Sequence, residues 1–239
     1  MSVGVAEPKA ILFDLDGTIL DSTGFDEDWR TTCASFGARG GCPPAASLLE
    51  AIKERRRWFW SDPERDRIGR LDVFAASTRI VSEALASLGC DDAALARTIA
   101  VDYRDRRDRA LRCYDGALDV LSAIRARGIP MALLTNGAAD MQRAKVDRFA
   151  LDQYFACIVI EGEFGAGKPD ERVFRHALEA LACDPGGAWM VGDNLRADIE
   201  PAHRLGLHTV WIDGDDSGLP EASAVQPHRI VRSITELLA

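Results

Sequence analysis

No stretch of the 239 residues approaches the ~18 consecutive apolar positions of a membrane-spanning helix. The opening MSVGVAEPKA also lacks a basic region followed by an apolar one. Neither a membrane span nor a secretory leader is therefore expected. Cysteine is sparse: Cys33, Cys42, Cys90, Cys113, Cys157 and Cys183 are scattered, with no CxxC and no histidine at ligand spacing. That excludes a zinc site of the usual spacing and a disulfide framework, and reads as ordinary buried thiols in a reducing compartment. A basic surplus is missing too. With 38 acidic against 29 basic residues, the net charge of −9 argues against a nucleic-acid backbone as ligand. Internal repeats and low-complexity segments are absent. The expectation is a soluble cytoplasmic protein with neither nucleic acid nor membrane as partner; nothing in the sequence fixes its oligomeric state.

What the sequence does contain is 47% hydrophobic residues, enough for a substantial core. Short apolar runs at 10–14, 129–134, 156–161, 188–192, 208–212 and 228–231 have strand length. Between residues 129 and 212 they alternate with helical patterns at 138–149, 170–182 and 195–205. This rhythm predicts an α/β fold, a Rossmann-like parallel sheet with helices on both faces. One helix is delimited closely, with Asp115 at the N-cap position, Leu118, Leu121 and Ile124 on one face, and Gly128 at C′ before Pro130. Residues 22–110 carry no convincing strand but several helical stretches, including 43–59, 63–88 and 91–111. The expected organisation is an α/β core of residues 1–21 and 111–239, with 22–110 inserted as an all-helical domain. The insert holds fifteen basic and fifteen acidic residues, so the negative surplus belongs wholly to the core.

Ligands of an open parallel sheet bind beyond the carboxyl ends of its strands. The first strand runs into Asp14 and Asp16 with Gly17-Thr18, and the second into Thr135-Asn136-Gly137. A glycine-rich turn with Lys168-Pro169 comes after the 156–161 run, and Asp193-Asn194 and then Asp198 come after 188–192. Asp14, Asp16 and Asp193 form a patch of negative charge that calls for a cation. With no cysteine or histidine in the set, magnesium fits better than zinc. Such a cation would let the paired acids coexist and bring a phosphate dianion toward them. Thr135 and the backbone N–H groups near Asn136 can hold phosphate oxygens, and Lys168 adds fixed positive charge.

On DLDGT (14–18), LLTNG (133–137), GKPD (167–170) and VGDNLRAD (191–198), in that order and each behind a strand, the chain resembles the haloacid dehalogenase superfamily. Within it, the resemblance is to the phosphatase branch with a helical cap inserted after the first motif. The resemblance spans the whole chain and implies that Asp14 is the nucleophile, forming an aspartyl-phosphate. It implies that Asp16 protonates the leaving oxygen and then activates water. Magnesium would be held by the Asp14 side chain, the Asp16 carbonyl and Asp193, with Asp198 in support. The substrate would be a small phosphomonoester, since a cap suits small molecules. A sugar phosphomutase uses the same acids. A dehalogenase of this scaffold usually has tyrosine where Asp16 stands, and a non-catalytic binding protein would be expected to have lost one of the acids.

Two features invite other readings. GEFGAGK (162–168) matches part of a nucleoside-triphosphate loop, but the next residue is Pro169, which has neither the hydroxyl nor the N–H that such a loop needs. KERRRWFWSDPERDRIGR (53–70) mixes arginines with Trp58, Phe59 and Trp60. Basic plus aromatic suits nucleic-acid stacking, against which the acidic total weighs. The stretch reads as a helix with solvated arginines and an aromatic core face, while Arg55, Arg57 and Arg65 are the candidates for reading a leaving group.

Overall fold

The computed structural model describes residues 7–37 and 41–238. The chain divides into two compact units, Ser22–Leu111, and Met1–Asp21 together with Arg112–Ala239.

The first of these is helical, with α1 (Phe25–Gly37), α2 (Ala45–Trp60), α3 (Pro63–Leu71), α4 (Val73–Ser87) and α5 (Ala93–Ala110). Its core gathers Trp29, Phe36, Leu48, Ile52, Ile80, Leu85 and Ile99, and Trp29 stacks on Tyr103 with ring centroids 3.7 Å apart. The helical pattern at 63–88 is broken in two at Asp72. That side chain accepts the Ala75 N–H at 2.9 Å and so caps a new helix instead of continuing the old one. In the 53–70 stretch Phe59 is buried, but Trp58 is 41% exposed, so the aromatics do not form a single core face. Arg65 is not simply solvated either. It donates to the carbonyls of Phe59 (3.3 Å) and Trp58 (2.6 Å) and lies 3.9 Å over the Trp58 ring, clasping the end of α2.

The second unit is built on six parallel strands in the order β3-β2-β1-β4-β5-β6. They are β1 (Ala10–Phe13), β2 (Met131–Thr135), β3 (Cys157–Ile160), β4 (Ala188–Gly192), β5 (His208–Ile212) and β6 (Arg229–Val231). Helices α6 (Ala117–Ala126), α7 (Ala139–Arg148), α8 (Glu161–Phe164), α9 (Glu171–Ala180) and α10 (Glu200–Arg204) connect them. Near-continuous apolar runs form the central strands because both faces are covered. On one face Leu12, Leu134 and Met190 pack with Phe174 and Leu178 of α9 and Ala202 of α10. From the other, Phe13 meets Phe155 edge to face, with ring centroids 6.2 Å apart.

Local deviations from the sequence pattern have identifiable causes. The N-cap of α6 is Gly116, not Asp115; its φ of 78° is left-handed, and a Cβ there would sit 2.9 Å from Thr235 Cγ2. Gly128, with φ 74°, comes just after the C-cap as the pattern predicts. The expected helix 195–205 opens as a π-helical turn, Leu195–Ile199, before α10. Pro201 cannot donate an amide to the preceding turn, and the Asn194 side chain caps the N–H groups of Arg196 and Ala197.

Register aligns the strand ends. Phe13 is level with Leu133 of β2 and with Val191 of β4, so the loops leaving β1, β2 and β4 emerge side by side. With β1 flanked by strands from two separate crossovers, this edge is a topological switch point.

Candidate active site

Asp14 continues β1 and donates its backbone N–H to the Val191 carbonyl at 2.9 Å. Only 7% of it is exposed. One carboxylate oxygen, Oδ1, takes a hydrogen bond from Lys168 Nζ at 2.5 Å, while the buried Oδ2 has no hydrogen-bond partner. Lys168 Nζ also lies 2.6 Å from Asp198 Oδ1, so one buried ammonium joins two buried carboxylates. An unpaired lysine here would be costly; the two acids make it tolerable. Burial alone would pull the Lys168 pKa down, but the charges of Asp14 and Asp198 outweigh it and hold it above the ordinary value.

Asp193 comes directly after β4. Its carbonyl accepts the Trp211 indole N–H at 2.8 Å, which ties the turn to β5. Carboxylate oxygens of Asp14, Asp193 and Asp198 all lie within 4.8 Å of one another, and they form the one such acidic group among the described residues. Glycine makes this crowding possible. A Cβ on Gly17, whose φ is +90°, would lie 2.2 Å from Asp193 Oδ2, and one on Gly192 would lie 2.4 Å from Asp198 Oδ2. Burial, with Asp198 and Asp193 adding repulsion, pushes the Asp14 carboxyl well above the usual carboxylate range although Lys168 pulls the other way. Burial and then Asp198 push Asp193 up to about 7. An all-oxygen donor set with an unpartnered buried oxygen fits a hard divalent cation such as magnesium.

The Asp16 carboxylate lies outside that trio, though its charge still adds to the negative field on Asp193. It is turned toward α7, where it meets Lys145 and Gln142. Thr135, the last residue of β2 and 3% exposed, has its hydroxyl hydrogen-bonded by the same Gln142 amide nitrogen. The Asn136 side chain is committed elsewhere. Its amide donates to the Lys168 carbonyl at 2.7 Å and its oxygen accepts the Lys168 N–H at 2.8 Å, clamping the lysine's backbone from both sides. What Asn136 offers a phosphate is therefore backbone. Glu161, immediately after β3 and buried, accepts the Gly137 N–H at 3.0 Å, which fixes the loop after β2. Sequence reasoning missed Gln142, Lys145, Glu161 and Trp211. The one signal was the three-residue spacing of Gln142 and Lys145, which puts both on one face of a helix behind the second motif.

The model of the haloacid dehalogenase-like hydrolases matches residues 8–206 of this chain. The chain belongs to the haloacid dehalogenase-like hydrolase family. Its relatives place it in the phosphatase branch. It is 38% identical to a phosphoserine phosphatase of Thermus thermophilus over 90% of this chain and 93% of that one. It is 29% identical to the N-acylneuraminate-9-phosphatase of Rattus norvegicus, over 99% and 95% respectively. Among solved structures, the Bacillus subtilis HAD-hydrolase YfnB, bound to magnesium, superposes with a TM-score of 0.74, covering 97% of both chains at 21% identity. That superposition extends the haloacid dehalogenase fold over nearly the whole chain.

Proposed function

We propose that the protein is a magnesium-dependent phosphatase that hydrolyses a phosphomonoester of a small alcohol through an aspartyl-phosphate on Asp14. The carrying observation is the state of Asp14, with one oxygen held by Lys168 and the other buried without a partner. Six free cysteines support a cytoplasmic setting, and no helix among the described residues is long and apolar enough to cross a membrane. The two phosphatase relatives are named for different alcohol phosphates, so the reading is for the class. The helical unit, inserted directly after the first motif, serves in this reading as the cap that governs substrate choice.

Asp14 attacks phosphorus, the bond from phosphorus to the alcohol oxygen breaks, and Asp16 gives its proton to the leaving alkoxide. Asp16, now a carboxylate, takes a proton from water, whose oxygen attacks the same phosphorus. The bond to Asp14 breaks, and inorganic phosphate leaves with Asp14 restored. Lys168 offsets charge on Asp14 throughout, and the Thr135 hydroxyl with the backbone N–H groups near Asn136 receives phosphate oxygens. Asp14, Asp193 and the Asp16 carbonyl, with Asp198 in support, would hold magnesium, which would supply the positive charge that admits a phosphate dianion among these acids.

The test uses p-nitrophenyl phosphate, whose leaving group barely needs protonation. Asp14→Asn should show no turnover. Asp16→Ala should give a burst of about one phenolate per active site and then slow turnover, the kinetic mark of an accumulated covalent intermediate. Steady, near-normal turnover by Asp16→Ala, or full activity of the wild type in excess chelator, would overturn the reading.

A further inference from the structure

A general acid–base group must be aimed as well as present. Asp16 stands three residues past its strand, in a tight turn where the Gly17 N–H meets the Leu20 carbonyl at 2.8 Å and the Ile19 and Leu20 N–H groups both return to the Leu15 carbonyl at 2.9 Å. The turn fixes the Asp16 backbone and leaves its side chain, 34% exposed, to be oriented by other groups. Both partners come from α7. Lys145 Nζ lies 2.8 Å from Oδ1 and 2.7 Å from Oδ2, a fork across the whole carboxylate, and Gln142 Nε2 lies 3.0 Å from Oδ2.

Gln142 is itself fixed. It is 2% exposed, and the nitrogen that reaches Asp16 also contacts the Thr135 hydroxyl. Orientation thus passes from the buried end of β2, through a buried amide, to the carboxylate. Lys145 has a side chain only 19% exposed, so its ammonium spends desolvation energy at this one spot. A purely structural ion pair could be made anywhere on the surface of α7; this one is made on the group the reaction uses twice.

We infer that Lys145 and Gln142 are positioning residues that aim the Asp16 carboxylate for its acid–base work. This rests on the reading of Asp16 given above. The consequence is selective. Formation of the aspartyl-phosphate from an aryl ester does not need Asp16, whereas hydrolysis of that intermediate does. Losing the Lys145 fork should therefore spare the first step and slow the second.

The experiment compares wild type, Lys145→Met, Lys145→Arg, Gln142→Leu, Asp16→Ala and the double variant Asp16→Ala/Lys145→Met, as full chains with magnesium and p-nitrophenyl phosphate. Lys145→Met keeps the length and apolar stem of lysine, so it tests the idea even if the buried Gln142→Leu fails to fold. The expected result is a burst rate near wild type and a steady rate lower by on the order of tenfold or more in Lys145→Met. Lys145→Arg should recover much of that loss, since a guanidinium can also fork a carboxylate. The double variant should be no slower than Asp16→Ala alone, because an aim is worthless without its carboxylate. Equal slowing of burst and steady rate, or further slowing in the double variant, would overturn the inference. So would a normal Lys145→Met beside an impaired Asp16→Ala, which leaves the phosphatase reading standing. A normal Asp16→Ala would instead remove the acid–base reading itself, and the inference with it.

Discussion

Replacing Asp193 by asparagine should stabilise the metal-free protein while abolishing most of its response to magnesium. Burial and the neighbouring Asp198 raise the Asp193 carboxyl from 3.8 to about 7. At about 1.4 kcal/mol per pH unit, the ionised carboxylate carries on the order of 4 kcal/mol of unfavourable interaction above pH 7. Screening by water at this partly open group reduces that to about 2 kcal/mol. The sign is set by proton uptake: between 3.8 and about 7 the folded chain holds a proton that the unfolded chain has released. The contribution to stability is therefore complete below about pH 4 and is lost as the pH rises through 7. Asparagine has no charge to lose. Metal-free Asp193→Asn should thus melt roughly 5 °C above wild type at pH 8, a gap that closes toward pH 4.

Magnesium should reverse the order. A ligand at a hundred times its dissociation constant adds about 2.7 kcal/mol to a folded state that binds it, and wild type should show a rise of that scale at pH 8. Asp193→Asn, lacking one of its carboxylates, should respond only at much higher magnesium. The assay is thermal melting with chelator or magnesium across pH 4 to 8, and it needs no substrate. A metal-free Asp193→Asn melting at or below wild type at pH 8 would refute the repulsion. Equal magnesium stabilisation of both proteins would refute Asp193 as a ligand.

The sheet was legible because its central strands are buried on both faces and so read as unbroken apolar runs. Asp14, Thr135 and Asp193 were legible because each comes at or just past a strand end, and parallel strands bring those ends together. The partners of Asp16 were not. Gln142 and Lys145 lie 126 and 129 residues away, and their one local signal, a three-residue spacing on one helix face, is shared by ordinary solvated surface. Asn136 was read as a phosphate group because it sits in the right loop. Its side-chain engagement with the Lys168 backbone depends on the loop after β3 folding against it, 32 residues on. The break at Asp72 and the shift from Asp115 to Gly116 reflect a further limit. Caps are decided by which side chain or left-handed turn closes the geometry, and several neighbouring residues offer the same chemistry.

Two more outcomes can be checked. Arg65→Ala removes two hydrogen bonds to the end of α2 and a stacking contact on Trp58; it should cost about 1–2 kcal/mol of stability and leave the ranking of substrates by kcat/KM unchanged, whereas a changed ranking at full stability would make it a specificity residue. The other concerns acid and the β5–β6 edge. There the His208 and His228 rings lie tilted with centroids 4.6 Å apart, His203 lies 5.1 Å from His228, and Trp189 and Arg229 stand beside them. Burial first, and then His228 and Arg229, lower the pKa of His208; burial and His203 lower that of His228. A lowered histidine stabilises the fold above its unfolded value, near 6.5, and that stability is lost as the pH falls through the folded value. The geometry gives the same sign, because His228 Nδ1 accepts the Thr209 N–H at 3.1 Å and an imidazolium has no lone pair to accept it. Protection of the Thr209 amide from hydrogen exchange, corrected for intrinsic rates, should therefore fall between pH 7 and pH 5 in wild type. His228→Gln, which keeps an acceptor that does not titrate, should hold that protection more nearly constant, and an equal fall in both proteins would show that the histidine ladder does not carry the acid response of this edge.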